Sequence, residues 1–75
     1  MREHDSVVLL RDLNNEGLKA GDVGTIIHIH NVGEAFEVEF VTMMGRTVAI
    51  ATISATDLRP VNPRDITHVR ELQAT

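Results

Sequence analysis

The sequence predicts a small, single, mostly-β domain, and three observations predict it. The chain has 75 residues, which is room for one domain. Its apolar residues fall into short β-branched runs that are separated by turn-forming residues. One run, 35–41 (AFEVEFV), alternates apolar and charged side chains with the period of a half-buried strand. We therefore expect a core that is built by strands.

Five strands are expected along the chain, the first of them followed by a long polar loop at 12–17 (DLNNEG). They are 6–10 (SVVLL), 23–30 (VGTIIHIH), 35–41, 47–53 (TVAIATI) and 58–61 (LRPV). A turn at 54–57 (SATD) is expected between the last two strands, either a plain turn or a single turn of 3₁₀ helix. Pro60 cannot donate a backbone hydrogen bond, so we expect the fifth strand at a sheet edge.

The first hairpin is predicted to have Val32-Gly33 as a two-residue loop, because this register gives the third strand one apolar and one polar face. The expected pairs are His30–Ala35, Ile29–Phe36, His28–Glu37, Ile27–Val38 and Thr25–Phe40.

The second hairpin is predicted to turn at Met43-Met44-Gly45, with the glycine in the left-handed conformation. The expected pairs are Thr42–Arg46, Phe40–Val48, Val38–Ile50 and Phe36–Thr52. Ile26, Ala49, Ala51 and Ile53 would then share the outer face of the sheet.

The tail is predicted to form a short helix over 63–73. Asn62 is a favourable N-cap, Pro63 suits the first helical position, and Asp65 complements the helix dipole. Ile66, Val69 and Leu72 recur at helical spacing. A helix this short is marginal alone, so we expect it to dock on its own domain or on a neighbour.

Together these elements match a five-stranded SH3-like barrel with a short C-terminal helix. The expected division is a barrel at 1–61 and a tail at 62–75. The alternative architecture is an open meander that pairs with a second copy.

Residues 5–61 also resemble a family of short bacterial proteins known only as a domain of unknown function. The matching segments are 4–10 (HDSVVLL), 16–27 (EGLKAGDVGTII), 33–40 (GEAFEVEF) and 58–61 (LRPV). The resemblance implies an SH3-like barrel and assigns no activity, cofactor or site. Within it, 21–27 (GDVGTII) resembles the KOW element of barrels that meet RNA or protein.

Composition excludes several functions of such barrels. The net charge is −4 and the basic residues never cluster, which disfavours nucleic acid. The chain has no Trp or Tyr and 2 Phe, which leaves no aromatic groove for proline-rich peptides and no cage for methyl-lysine. It has no Cys, which fits a reducing cytoplasm. No segment has the length of a signal peptide or a membrane span.

The chemical candidates are sparse. His28 and His30 share one strand face with Glu37 opposite, a pattern that can hold a metal, although a cross-strand His–Glu pair explains it more simply. Asp5, Asp12, Asp22 and Asp57 would need a cleft to become catalytic. We expect no enzymatic activity and no cofactor.

The remaining signal is surplus apolar surface. Adjacent methionines at a hairpin tip suggest a contact with a partner, although the simpler interpretation is that one of them folds back over the end of the barrel. The candidate interface residues are Met43, Met44, Ile53, Ile66, Val69 and Leu72. We therefore predict a cytoplasmic protein-interaction module that forms a homodimer or serves as an accessory or antitoxin-like partner. The alternative is a KOW-like barrel that binds nucleic acid or the ribosome.

Overall fold

The computed structural model describes residues 1–72 and contains the five expected strands. They are β1 (Ser6–Leu9), β2 (Val23–His30), β3 (Ala35–Val41), β4 (Thr47–Ser54) and β5 (Leu58–Pro60). Single turns of 3₁₀ helix lie at Asn14–Glu16, in the β1–β2 loop, and at Ala55–Asp57, where a turn was predicted. No helix within residues 1–72 is long and apolar enough to cross a membrane.

The strands form one antiparallel sheet in the order β4-β3-β2-β1-β5. Pro60 lies on an edge strand, as predicted. Within residues 1–72 no ladder joins β4 to β5. The sheet is therefore open, and the prediction of a closed barrel is wrong because the two edge strands do not pair.

The core is one apolar cluster to which all five strands contribute. Its buried members are Val7, Leu9, Leu18, Ile26, Phe36, Val38, Phe40, Ala51, Ile53 and Leu58. No helical layer covers this face of the sheet in the described chain. Because edge strands β4 and β5 share the cluster with the central strands, the sheet curves around its own core.

A bulge in β2 corrects the first hairpin. The predicted pairs nearest the turn, His30–Ala35, Ile29–Phe36 and His28–Glu37, are confirmed. The ladder then shifts, so that Ile26 opposes Val38 and Thr25 opposes Glu39. The predicted Ile27–Val38 and Thr25–Phe40 pairs are wrong, because a bulge sets two residues against one and reverses the faces beyond it. Ile26 is consequently fully buried and Ile27 is exposed.

A second bulge corrects the other hairpin. The turn is as predicted: Thr42 donates its N–H to the Arg46 carbonyl, and Gly45 has a φ of 86°. The ladder shifts after Val41–Thr47, however.

The shift replaces all three of the deeper predicted pairs. The observed pairs are Phe40–Ala49, Val38–Ala51 and Phe36–Ile53, in place of Phe40–Val48, Val38–Ile50 and Phe36–Thr52. Small alanines thus face the core beside the two phenylalanine rings, an alternation of large and small side chains that fills the space.

The predicted C-terminal helix is wrong over 63–72, and its last residue, Gln73, lies outside the described residues. The polar groups that suggested a helix cap close a turn instead. Asn62 accepts the Arg64 N–H through its side chain and the Asp65 N–H through its carbonyl. The Asp65 carboxylate accepts the Asn62 N–H at 2.8 Å. These bonds satisfy the cap residues locally, and the short following segment has too little helix propensity to continue alone.

Gly24 allows the close approach of β2 to β3. A Cβ at this position would lie 2.6 Å from Val38 Cγ1 and 2.9 Å from the Glu39 carbonyl oxygen. Both groups belong to the buried centre of the sheet, so neither can move aside without disturbing the core.

We predict that Gly24→Ala lowers the free energy of unfolding by about 1–3 kcal/mol through overpacking. Urea denaturation followed by circular dichroism measures this change. Thr25→Ala, at the next residue and on the outer face, serves as the control and should cost less. A Gly24→Ala variant as stable as the natural chain would contradict the close approach.

Candidate interaction surface

The hairpin tip between β3 and β4 holds two methionines in solvent. Met43 is 84% exposed and Met44 is 95% exposed, so neither folds back over the core. The tip itself is well held, because Thr42 accepts the N–H groups of Arg46 and Gly45 through its hydroxyl and carbonyl oxygens. An ordered turn therefore presents two adaptable apolar side chains.

The tail is tied to the sheet by two ion pairs. The Arg59 guanidinium donates to both carboxylate oxygens of Asp65, each at 2.9 Å. Farther along, Arg70 donates to both oxygens of Asp22, at 2.8 and 2.6 Å, and to the Gly17 carbonyl at 3.1 Å. Two-pronged arginine–carboxylate pairs are among the stronger side-chain interactions, so residues 65–70 are anchored at both ends.

The two anchors tie the tail to neighbouring parts of the sheet. Arg59, Val8 and Val23 are neighbours in register across β5, β1 and β2, and Asp22 directly precedes Val23. The tail therefore docks on its own domain through these two ion pairs.

The docked tail still presents apolar side chains to solvent. Ile66, Val69 and Leu72 are all exposed, Ile66 almost completely. They are held near Arg59 and Asp22, at the end of the sheet where β2 begins. β3 ends at this same end because it is antiparallel to β2.

The structure thus brings the predicted tip and tail residues to one end of the sheet, where two further exposed valines join them. We call this surface the apolar end; it comprises Val23, Val41, Met43, Met44, Ile66, Val69 and Leu72.

Ile53 does not belong to this surface. It was predicted on the outer face, but the β4 bulge turns it inward and it is 3% exposed. Val23 and Val41 were missed, although the alternation of β3 already placed Val41 on the side of Glu37 and Glu39. The Arg70–Asp22 pair joins residues 48 positions apart and has no local signal in the sequence.

The histidine cluster forms a cross-strand pair. Glu37 lies opposite His28 as predicted, but its carboxylate contacts His30 Nε2 at 3.2 Å. The imidazole rings of His28 and His30 pack edge to face, with their centroids 4.6 Å apart. Among residues 1–72 no group of three or more His, Cys, Asp or Glu side chains is arranged to hold a metal ion.

The aspartates considered for acid–base chemistry are engaged in structural bonds. Asp5 and Asp12 accept the backbone N–H groups of Arg2 and Ala20. Asp57 pairs with Arg11 at 3.0 Å, and Asp22 holds the tail. These carboxylates stabilise turns and loops and are dispersed around the sheet.

We predict that Arg70→Gln releases the tail, because a neutral amide cannot replace the two-pronged ion pair. The measurement is the ¹⁵N heteronuclear NOE of residues 66–69, which should fall to values typical of flexible chain. Arg64→Gln is the matched control, since Arg64 forms no ion pair within residues 1–72. Equal effects of the two substitutions would show that Arg70 is not the anchor.

The two anchors also predict a dependence on pH. Burial by itself raises the pKa of Asp22. Hydrogen bonds from the Arg70 side chain and the Lys19 N–H, together with the positive charges of Arg70 and Lys19, outweigh this effect and bring the pKa below its usual value. The hydrogen bond from Arg59, aided by the Asn62 N–H, lowers the pKa of Asp65 to about 2.

Both carboxyl groups have lower pKa values in the folded chain than in the unfolded chain. The ion pairs therefore stabilise the docked tail fully above roughly pH 4, and this stabilisation is lost as the pH falls below that value and the carboxylates are protonated. We therefore expect the NOE values of residues 66–69 to stay constant from pH 7 to about pH 4 and to fall below it. Release of the tail already near pH 6 would contradict this assignment.

Comparison with known proteins gives one match. A family model described as "Domain of unknown function (DUF4926)" matches residues 3–60, which includes all five strands. No curated protein matches the chain. No solved structure matches it either.

Proposed function

We propose that this chain, which belongs to the family of the domain of unknown function DUF4926, is a non-enzymatic, self-associating protein-interaction module. The observation that carries the proposal is the hairpin tip. Two adjacent methionines are almost completely exposed on an ordered turn, and large apolar side chains held in this way are typical of protein contacts.

The docked tail refines this proposal. The tail was expected to dock on its own domain or on a neighbour, and Asp22 and Asp65 hold it on its own sheet. The hairpin tip lies at the same end of the sheet but at the opposite edge, between β3 and the edge strand β4. We therefore assign self-association to the tip side and not to the tail.

The charge distribution favours protein over nucleic acid as the partner. Lys19 faces Asp12 at 3.8 Å, Arg59 is paired with Asp65, and Arg70 is paired with Asp22 of the KOW-like segment. Pairing reduces the free positive charge that phosphate binding requires. Arg2, Arg46 and Arg64 form no ion pair within residues 1–72, but they belong to separate parts of the chain, whose net charge is −4.

The strand order supports a relationship to SH3-like folds. A long first loop, two hairpins and a 3₁₀ turn before a short edge strand are the features that suggested this fold from the sequence. We propose that the domain is an open variant of that fold, in a cytoplasmic setting.

We predict that the full chain is a dimer in solution and that Met43→Ser/Met44→Ser weakens the dimer at least tenfold. Complete burial of one methionine contributes about 1.5–3 kcal/mol, and about 1.4 kcal/mol changes the dissociation constant tenfold. Light scattering over a concentration series, coupled to size-exclusion chromatography, measures both masses.

Ile66→Ser/Val69→Ser is the matched control, because it removes two exposed apolar side chains from the tail and should leave the dimer intact. A full chain that stays monomeric at millimolar concentration would refute self-association. If only the tail substitutions abolish the dimer, the interface lies at the tail and not at the hairpin tip.

A further inference from the structure

We propose that the open edge of β4 pairs antiparallel with β4 of a second copy, about a twofold axis near Ala51. This inference rests on the proposed self-association and names the strand that joins the two copies. Four features favour this pairing: the difference between the two sheet edges, the direction of the free backbone groups, the charge along β4 and the open groove beside it.

The edge at β5 is protected from further pairing. β5 has only three residues, and its ladder with β1 is continued by the Leu10 N–H bond to the Asp57 carbonyl. Since bonded pairs alternate, Arg59 bonds to β1 whereas Pro60 faces away from the sheet. Pro60 has no N–H, and its outward carbonyl accepts a bond from the Arg59 guanidinium at 3.0 Å. No complete donor–acceptor row remains at this edge.

The edge at β4 has free backbone groups in an alternating row. Beyond the end of the ladder, Ala55 donates its N–H to the Glu34 carbonyl at 3.0 Å, so the odd-numbered residues from Ala49 to Ala55 bond to β3. The N–H and C=O groups of Ile50 and Thr52 therefore point away from the sheet. Both residues are exposed, whereas Ala51 between them is buried.

β4 lacks the charged and proline residues that block edge pairing, and its bulge at Val48 lies near the start of the strand, outside the regular part from Ala49 to Ser54. It has eight residues, 47–54 (TVAIATIS), with no charge, no Lys and no Pro. Antiparallel pairing of this strand with itself brings no like charges together, although the whole chain has a net charge of −4. A β-branched, uncharged edge of this length is a template for another strand.

The charges that flank β4 complement each other in the same arrangement. Arg46 precedes the strand and forms no ion pair within residues 1–72. Glu34, which also forms none there, lies at the far end of the strand, near Asp57, which pairs with Arg11. Antiparallel pairing places Arg46 of each copy beside the acidic end of the other. This complementarity favours a second copy over an unrelated peptide as the occupant.

An open, shallow groove borders this edge. It lies between the β1–β2 loop at 11–16 and β4, where Ala51 and Thr52 line it. A second strand at the usual separation of about 4.8 Å would lie beside this loop.

The direction of the free groups limits the register. Residues that face each other in an antiparallel pair point to the same side of the sheet, so outer residues must oppose outer residues. An axis at Ala51 meets this condition, because it sets Ile50 against Thr52 and lets their outward N–H and C=O groups bond to each other. The methionine tip, which directly precedes β4, then flanks the paired strands.

The test is amide hydrogen exchange along β4, measured by NMR on the full chain at a concentration where light scattering shows the dimer. In an unpaired edge, the amides of Ala51 and Ile53 are protected and those of Ile50 and Thr52 exchange rapidly. In the proposed dimer, the amides of Ile50 and Thr52 become protected at least a hundredfold. A dimer whose Ile50 and Thr52 amides exchange rapidly would overturn this inference and leave self-association standing; a monomer would overturn both.

Substitutions provide the second arm. Ile50→Lys should give a monomer, since a lysine on an edge strand opposes pairing. Thr52→Pro, which removes an outward N–H, should do the same. Thr25→Lys adds the same charge to the outer face of central strand β2 and should leave the dimer intact. Dimers that survive both β4 substitutions would refute the edge pairing, provided that circular dichroism shows folded chains.

Discussion

The constraint on which this structure depends is that one face of a single sheet must be buried without a second layer. The described chain has no helix longer than a single turn, so the strands themselves must enclose the core. Gly24 lets β2 lie close against β3, and the bulges at Ile27 and Val48 add local twist. The same curvature brings Leu9 and Ile53, from β1 and β4, into one cluster.

These bulges mark the limit of what the sequence could predict. The number and order of the strands, the second turn and the pairs nearest the first turn followed from alternation and turn residues. The first turn was predicted as a two-residue loop at Val32-Gly33, but it spans residues 31–34, and the His30 carbonyl accepts the N–H groups of Gly33 and Glu34. Alternation assumes an unbroken period of two, and a single extra residue reverses every side chain beyond it. Ile26 and Ile53 were therefore assigned to the wrong face of the sheet, and their apolar side chains alone do not indicate which face they occupy. The core packing of Phe36 and Phe40, which selects the bulged register, is not visible in a local pattern.

The prediction of a helix in the tail was wrong for the opposite reason, because the local residues that suit a helix start form a turn instead. Asn62, Pro63 and Asp65 suit a helix start, yet Asn62 and Asp65 close a turn and Arg59 holds it. A short helix gains little free energy alone. Two arginine–carboxylate pairs hold the tail instead, and the second pair connects parts of the chain that no window of sequence contains. The turn at Met43 and Met44 was predicted, but the simpler expectation that one methionine folds back was wrong, because both are exposed.

A chain of this size buries a modest fraction of its surface, so its stability depends on whatever else it can bury. It has no cysteine from which to form a disulfide, and the docked tail leaves Ile66, Val69 and Leu72 exposed. The open meander that pairs with a second copy was the alternative to a closed barrel, and it fits the open sheet of residues 1–72, in which no ladder joins β4 to β5. Closing the barrel would have used the edge of β4 within one chain. Because that edge is uncharged while the β5 edge is blocked by Pro60 and Arg59, association through a sheet edge, as we propose, would take place at β4 and stop at two copies.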